Sequence, residues 1–120
     1  MRRHKYNVAP KERRTYKGVL YASMAEMERA AELDFLVTTG DVLYWVGQPK
    51  FRLGVAENTY RPDFHVIGGD AHDRATWAED VKGVETPAFR KNKRLWKSYG
   101  PCPLRIIRGG KVVETIEGAK

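Results

Sequence analysis

Cysteine is nearly absent from the 120-residue chain, with Cys102 standing alone. A single thiol excludes an intramolecular disulfide framework and any multi-cysteine zinc site. Its place between Pro101 and Pro103 reads as a small buried or loop residue. Asparagine and glutamine are scarce, limited to Asn7, Gln48, Asn58 and Asn92, which suits a heat-adapted source. No stretch approaches the ~18 apolar residues of a membrane span. Residues 1–10 are basic but have no apolar run behind them, so they do not read as a secretory signal. No membrane partner and a cytoplasmic location are therefore expected. Internal repeats and low-complexity tracts are also missing.

Hydrophobic residues make up 42% of the chain, which excludes a wholly disordered tail. The length suits one domain, and a chain of this size can bury a core without covalent staples. Lysine and arginine number 22 against 15 acidic residues, a net charge of +7 that favours a polyanionic partner. The charge is segregated. Residues 1–20 carry +6, residues 21–87 carry −6 with twelve carboxylates, and residues 88–113 carry +8 with no acid at all. A protein that only coats phosphates has no need of a central acidic segment. These carboxylates belong either to a solvated face turned away from the ligand or to a metal site.

Residues 1–15 read as a flexible basic arm that includes Arg13 and Arg14, and residues 16–120 as a single domain. Ser23-Met24-Ala25-Glu26 is a capping-box pattern opening a helix that runs to about residue 38 and stops at Gly40. Its expected apolar arc holds Met24, Met27, Ala30, Ala31, Leu33, Phe35 and Val37, with Glu28, Arg29 and Glu32 opposite and Glu26 inside the arc. A short extended piece is expected at 19–22, and strands at 42–46, 50–55, 62–67 and 76–82. Thr86-Pro87 opens a second helix, ended by Gly100-Pro101. Strands at 104–108 and 111–116 flank Gly109-Gly110, a two-residue hairpin turn. The fold class is α+β, or α/β with a mixed sheet.

Pro62-Asp63 and Glu79-Asp80-Val81-Lys82 carry the chemistry. Alternation places Asp63, His65 and Ile67 on one face of their strand, and Ala78, Asp80 and Lys82 on one face of theirs. If the two strands are neighbours joined by the turn at 68–75, Asp63 and Asp80 converge beside Lys82. Paired carboxylates repel, and a hard divalent cation relieves the repulsion. Such a cation, with a lysine to stabilise negative charge or position water, serves phosphodiester hydrolysis. Glu79 is the rival ligand to Asp80, since a bulge would turn it inward. Glu26 is either a site residue or the capping partner of Ser23, and His65 reads as a hydrogen-bonded structural histidine.

These residues resemble the PD-(D/E)XK nuclease motif. More narrowly, the stretch from Ser23-Met24-Ala25-Glu26 through Gln48-Pro49-Lys50-Phe51, Tyr60-Arg61-Pro62-Asp63-Phe64 and Glu79-Asp80-Val81-Lys82-Gly83 to Lys93-Arg94-Leu95-Trp96 looks like a phage-associated branch of small nucleases. Some members of such branches are Holliday junction resolvases. The resemblance spans residues 16–108 and implies a restriction-endonuclease-like core. That core is a mixed central sheet flanked by two helices, in the order αβββαβ, here with a C-terminal hairpin strand. It implies Asp63, Asp80 and the carbonyl of Val81 as ligands for Mg²⁺ (Mn²⁺ as a substitute), Lys82 as the catalytic lysine, and Glu26 as an acidic helix residue completing the site. Arg90, Lys91, Lys93, Arg94 and Lys97 on the second helix, with Arg13 and Arg14 on the arm, would grip phosphates. The implied activity is resolution of branched DNA by a homodimer, in the host cytoplasm if the chain is phage-encoded. The alternatives are a recombination or nicking nuclease on linear or single-stranded DNA, and a non-catalytic basic nucleic-acid-binding protein.

Overall fold

The computed structural model describes residues 8–55, 57–69 and 74–119, and expectations for residues 1–7 of the arm lie outside them. Both helices start at the residues whose side chains can satisfy orphan N–H groups. The Glu26 backbone N–H donates to Ser23 Oγ at 3.1 Å, opening α1 (Met24–Thr39), which Gly40 closes in the left-handed region at φ 87°. The Phe89 N–H donates to Thr86 Oγ1, also at 3.1 Å, and Pro87 takes the first position of α2 (Pro87–Tyr99), where its missing N–H costs nothing.

The strands are β1 (Thr15–Tyr16), β2 (Val19–Leu20), β3 (Val42–Gly47), β4 (Phe51–Arg52), β5 (Thr59–Tyr60), β6 (Phe64–Gly69), β7 (Arg74–Val81), β8 (Leu104–Arg108) and β9 (Lys111–Ile116). Five of them form a mixed sheet in the order β3-β6-β7-β8-β9. Its pairs are antiparallel except β7 with β8, which are parallel and connected through α2. The fold is therefore mixed α+β, a five-stranded mixed sheet with two helices. Gly109 and Gly110 join β8 to β9 with φ of 60° and 76°, the positive values a tight hairpin requires. Among the described residues no helix is long and apolar enough to cross a membrane.

Alternation along the strands sorts side chains into two cores. Phe64 and Val66 of β6 meet Ala30 and Leu33 of α1, with Val42, Trp45, Trp77 and Val81 around them. Ala78, Leu104, Ile106 and Ile116 point the other way and pack on Phe89 and Trp96 of α2. Leu53 and Tyr60 join this second core, which explains why the expected strand at 50–55 breaks. Only Phe51 and Arg52 remain extended, and they pair with Thr59 and Tyr60 in a separate two-stranded hairpin.

Two further expectations change. Lys11–Arg14, inside the stretch read as an arm, form a 3₁₀ turn. The Arg14 guanidinium ties that turn down by donating to the carbonyls of Ala9 (2.8 Å) and Tyr21 (2.7 Å). On α1 the buried face is Ala30 and Leu33, while Phe35 is 63% exposed. Arg29, expected on the solvated side, lies against the sheet because a buried carboxylate, Glu79, neutralises it there.

Candidate active site

Asp63 lies at the entry to β6, where its backbone N–H donates to the Glu79 carbonyl at 3.0 Å and its Oδ2 accepts from the Val81 N–H at 2.8 Å. These two bonds fasten Asp63 to the end of β7. Asp80 projects from β7 toward the α2 layer and is 3% exposed. Its Oδ2 accepts from the Tyr60 hydroxyl in a short hydrogen bond, and its Oδ1 lies 3.3 Å from Lys82 Nζ. The Lys82 ammonium also sits over the Phe89 ring, 4.5 Å from its centroid. The side chains of Asp63, Asp80 and Lys82 thus come together at one end of the β6–β7 pair.

Glu26 reaches the same place from the first turn of α1. Burial raises its carboxyl above the ordinary range and Asp80 raises it further, with Lys82 opposing. Asp63 responds more strongly. Burial, then the neighbouring Asp80 and Glu26 carboxylates, push it up to about 8 against the lowering effect of the Val81 N–H. Three acids crowd a space where full ionisation is costly, which is the electrostatic setting of a cation site. Ser23 Oγ accepts from the Glu26 backbone N–H, one half of a capping box, while the Glu26 carboxyl reaches both the Ala22 backbone and Asp63.

Glu79, the rival to Asp80, points into the opposite layer. It is fully buried, holds Arg29 through two bonds of 2.7 and 2.6 Å, and accepts from Trp77 Nε1 at 2.9 Å. No bulge turns it inward. His65 faces the α2 side, 2.8 Å from Thr76 Oγ1 and edge-on to Phe51, and burial lowers its pKa.

The basic residues divide into three settings. Arg90, Lys91, Arg94 and Lys97 are exposed on α2. Lys93 is held by Glu85 and Glu114 at 2.8 and 2.9 Å, so it is already neutralised. Arg13 is exposed, whereas Arg14 is committed to backbone carbonyls. Phe89 links this helix to the acidic cluster, because both Lys82 and Lys93 lie over its ring.

Tyr60 and Arg29 are the residues that sequence reasoning missed. Tyr60 stands three positions before Asp63, but nothing in composition or alternation tells that a separate hairpin folds its hydroxyl back onto Asp80. Arg29 was legible only through its partner, since a Glu-Asp pair on one strand must send one acid to each layer.

Among the described residues, no three acidic, histidine or cysteine side chains already stand at metal-binding separations. The donor set nonetheless suits a hard divalent cation, because it offers carboxylate oxygens that repel one another and retain protons in the cation's place. The fold and cluster define a mixed α+β protein with buried acids beside a basic helix. No family model matches the chain, and no curated protein or solved structure matches it.

Proposed function

We propose that the chain is a Mg²⁺-dependent endodeoxyribonuclease of the PD-(D/E)XK kind, acting preferentially on branched DNA such as Holliday junctions. The observation that carries the proposal is the convergence of Glu26, Asp63, Asp80 and Lys82 at one end of the β6–β7 pair. The succession α1, β3, β6, β7, α2, β8 supports it, since it follows the αβββαβ order of a restriction-endonuclease-like core. Asp63 enters the second strand of that order, and Asp80 and Lys82 close the third.

Asp63 and Asp80, with the Val81 carbonyl, are the groups that would hold the ion. An ion held there would supply Lewis-acid polarisation of a phosphate and a more acidic water. The chain's own residues do the remainder. Lys82 Nζ, 3.3 Å from Asp80 Oδ1, is the cation that would stabilise charge on a phosphate oxygen or orient the water. Tyr60 fixes the Asp80 carboxylate through its hydroxyl, which leaves the opposite oxygen to face the cluster. The exposed cations of α2 contact phosphates and set the position of the helix axis without reading bases. Resolution of a four-way junction needs two symmetric cuts, so the working form would be a homodimer.

The test is cleavage of four-way junction, flap and linear duplex with and without Mg²⁺. Asp63→Ala and Lys82→Ala should each lower cleavage by about 100-fold or more, while junction binding persists. Equal cutting of linear duplex removes only the branched-DNA preference. Binding without cutting under any divalent ion favours the non-catalytic reading, for which the internal Lys82–Asp80 ion pair is the specific support.

A further inference from the structure

A cavity of about 610 Å³ opens beside the acidic cluster, with Glu26 and Asp63 on one wall and Arg14, Leu20, Tyr21 and Trp45 among the others. Its volume falls within the roughly 300–1,000 Å³ usual for small-ligand pockets. The acids lie between this cavity and the basic helix α2. Glu26 and Asp63 belong both to the cluster and to the cavity lining, so a phosphate held at the cluster brings a neighbouring nucleotide next to the cavity.

The lining is unusual for a surface that faces only water. Val19 and Leu20 hold apolar side chains about half exposed, at 50% and 49%, on the hairpin that roofs the cavity. Tyr21, Trp45 and Phe64 supply aromatic surface. Trp45 is fixed, its Nε1 donating to Asp34 at 2.8 Å and its ring edge-on to Phe64 at 5.4 Å. The Arg14 guanidinium is also fixed by its two carbonyl bonds, and among the described residues no carboxylate pairs with it.

Gln48 completes the wall. It is one of two non-glycine residues with positive φ among the described residues, at 55°, a conformation that a side chain of this size adopts at a cost. Its backbone N–H donates to the Asp63 carbonyl at 2.9 Å, so the strained residue is bolted to the site. Its amide offers both a donor and an acceptor. Rigid aromatic surface, a pre-set cation and one amide are the chemistry that recognises a nucleobase with its phosphate.

We propose that this cavity receives one unstacked nucleobase next to the phosphate presented to Asp63 and Lys82. The inference rests on the nuclease reading of the acidic cluster and names its substrate class: DNA whose stacking is interrupted, at a branch point, bulge or gap. In continuous duplex each base face is covered by its neighbours and cannot enter. Selection for interrupted DNA then comes from a receptacle roomy enough to admit a base and not from a surface that follows the shape of a junction.

Binding measured in EDTA separates occupancy from cutting. The probes are three labelled duplexes of one sequence: fully paired, carrying one unpaired adenosine, and carrying an unpaired abasic nucleotide at the same place. The wild-type chain should prefer the adenosine bulge over the paired duplex by about tenfold, the worth of one base–aromatic stack. The abasic bulge, which bends as readily but has no base, should bind like the paired duplex. Leu20→Trp, which narrows the cavity from an exposed position, should reduce the preference. Gln48→Gly, which relieves the strained backbone, should weaken it without loss of thermal stability. Equal binding of the abasic and adenosine bulges overturns the inference in favour of DNA flexibility. An undiminished preference in Leu20→Trp overturns it too. Adding Mg²⁺ distinguishes the two readings. Cutting at equal rates on bulged and paired DNA overturns the base pocket and leaves the nuclease. Base-dependent binding with no cutting overturns the nuclease and leaves the pocket.

Discussion

Asp63 holds its proton more tightly in the folded chain than it would in the unfolded one, since its carboxyl moves from the ordinary 3.8 up to about 8. Between those values the folded state binds more protons than the unfolded state, so stability falls as pH rises through that window. Glu26 is raised as well and acts with the same sign. The metal-free protein should therefore melt at a lower temperature at about pH 8 than at about pH 5, and Asp63→Asn should flatten that slope. Mg²⁺ should restore more of the melting temperature at the higher pH, where it does not compete with the proton. A melting temperature that climbs with pH in EDTA would contradict the crowding of the three acids. Arg29 allows a second test at this scale. Arg29→Met leaves the Glu79 charge buried without its guanidinium, a loss of about 3–5 kcal/mol in urea unfolding, and Arg29→Met with Glu79→Met should recover most of it. The pair faces away from Asp80, so cleavage per folded molecule should survive in the double variant.

At the scale of elements, the sequence was most readable where local chemistry decides. Ser23, Thr86-Pro87, Gly40 and Gly109-Gly110 bound their elements because caps and tight turns depend on a few adjacent residues. Alternation on β7 sends Glu79 and Asp80 to opposite layers because the pleat has a period of two. The misreadings came where distant parts decide. Phe51 and Arg52 leave the main sheet because Leu53 and Tyr60 have a better burial site under α2. Arg29 turns inward because Glu79 waits there, and Phe35 is displaced outward in consequence of the same helix rotation. The end of α2 offers a prediction that local reading also misses. A Cβ on Gly100 would come within 2.4 Å of the Trp96 indole, whose Nε1 donates to the Cys102 carbonyl at 2.7 Å. Gly100→Ala should cost about 1–3 kcal/mol and alter the near-ultraviolet dichroism of the tryptophans. An unchanged unfolding midpoint would mean that the indole has room to retreat.

Across the whole molecule, the segregated charge of the sequence becomes an acidic centre flanked by cations on α2. The four exposed cations Arg90, Lys91, Arg94 and Lys97 should together give DNA affinity a log–log salt slope of about −3 to −4. Arg94→Ala should reduce that slope by about one. Lys93→Ala should barely move it, since Glu85 and Glu114 already neutralise that ammonium. A flat salt response would remove the phosphate grip from α2.

Glu79 and Asp80 are chemical near-twins, and only the register of β7 tells them apart. A slide of that strand by one residue would turn each toward the other's layer. The aspartate would then enter the layer of Arg29 and the glutamate the layer of Tyr60. The bidentate Arg29 contact on Glu79 therefore acts as a proofreader of assembly. A chain that threads its central strand wrongly is left with mismatched charges in both layers, a cost that favours the register with Asp80 beside Asp63 and Lys82.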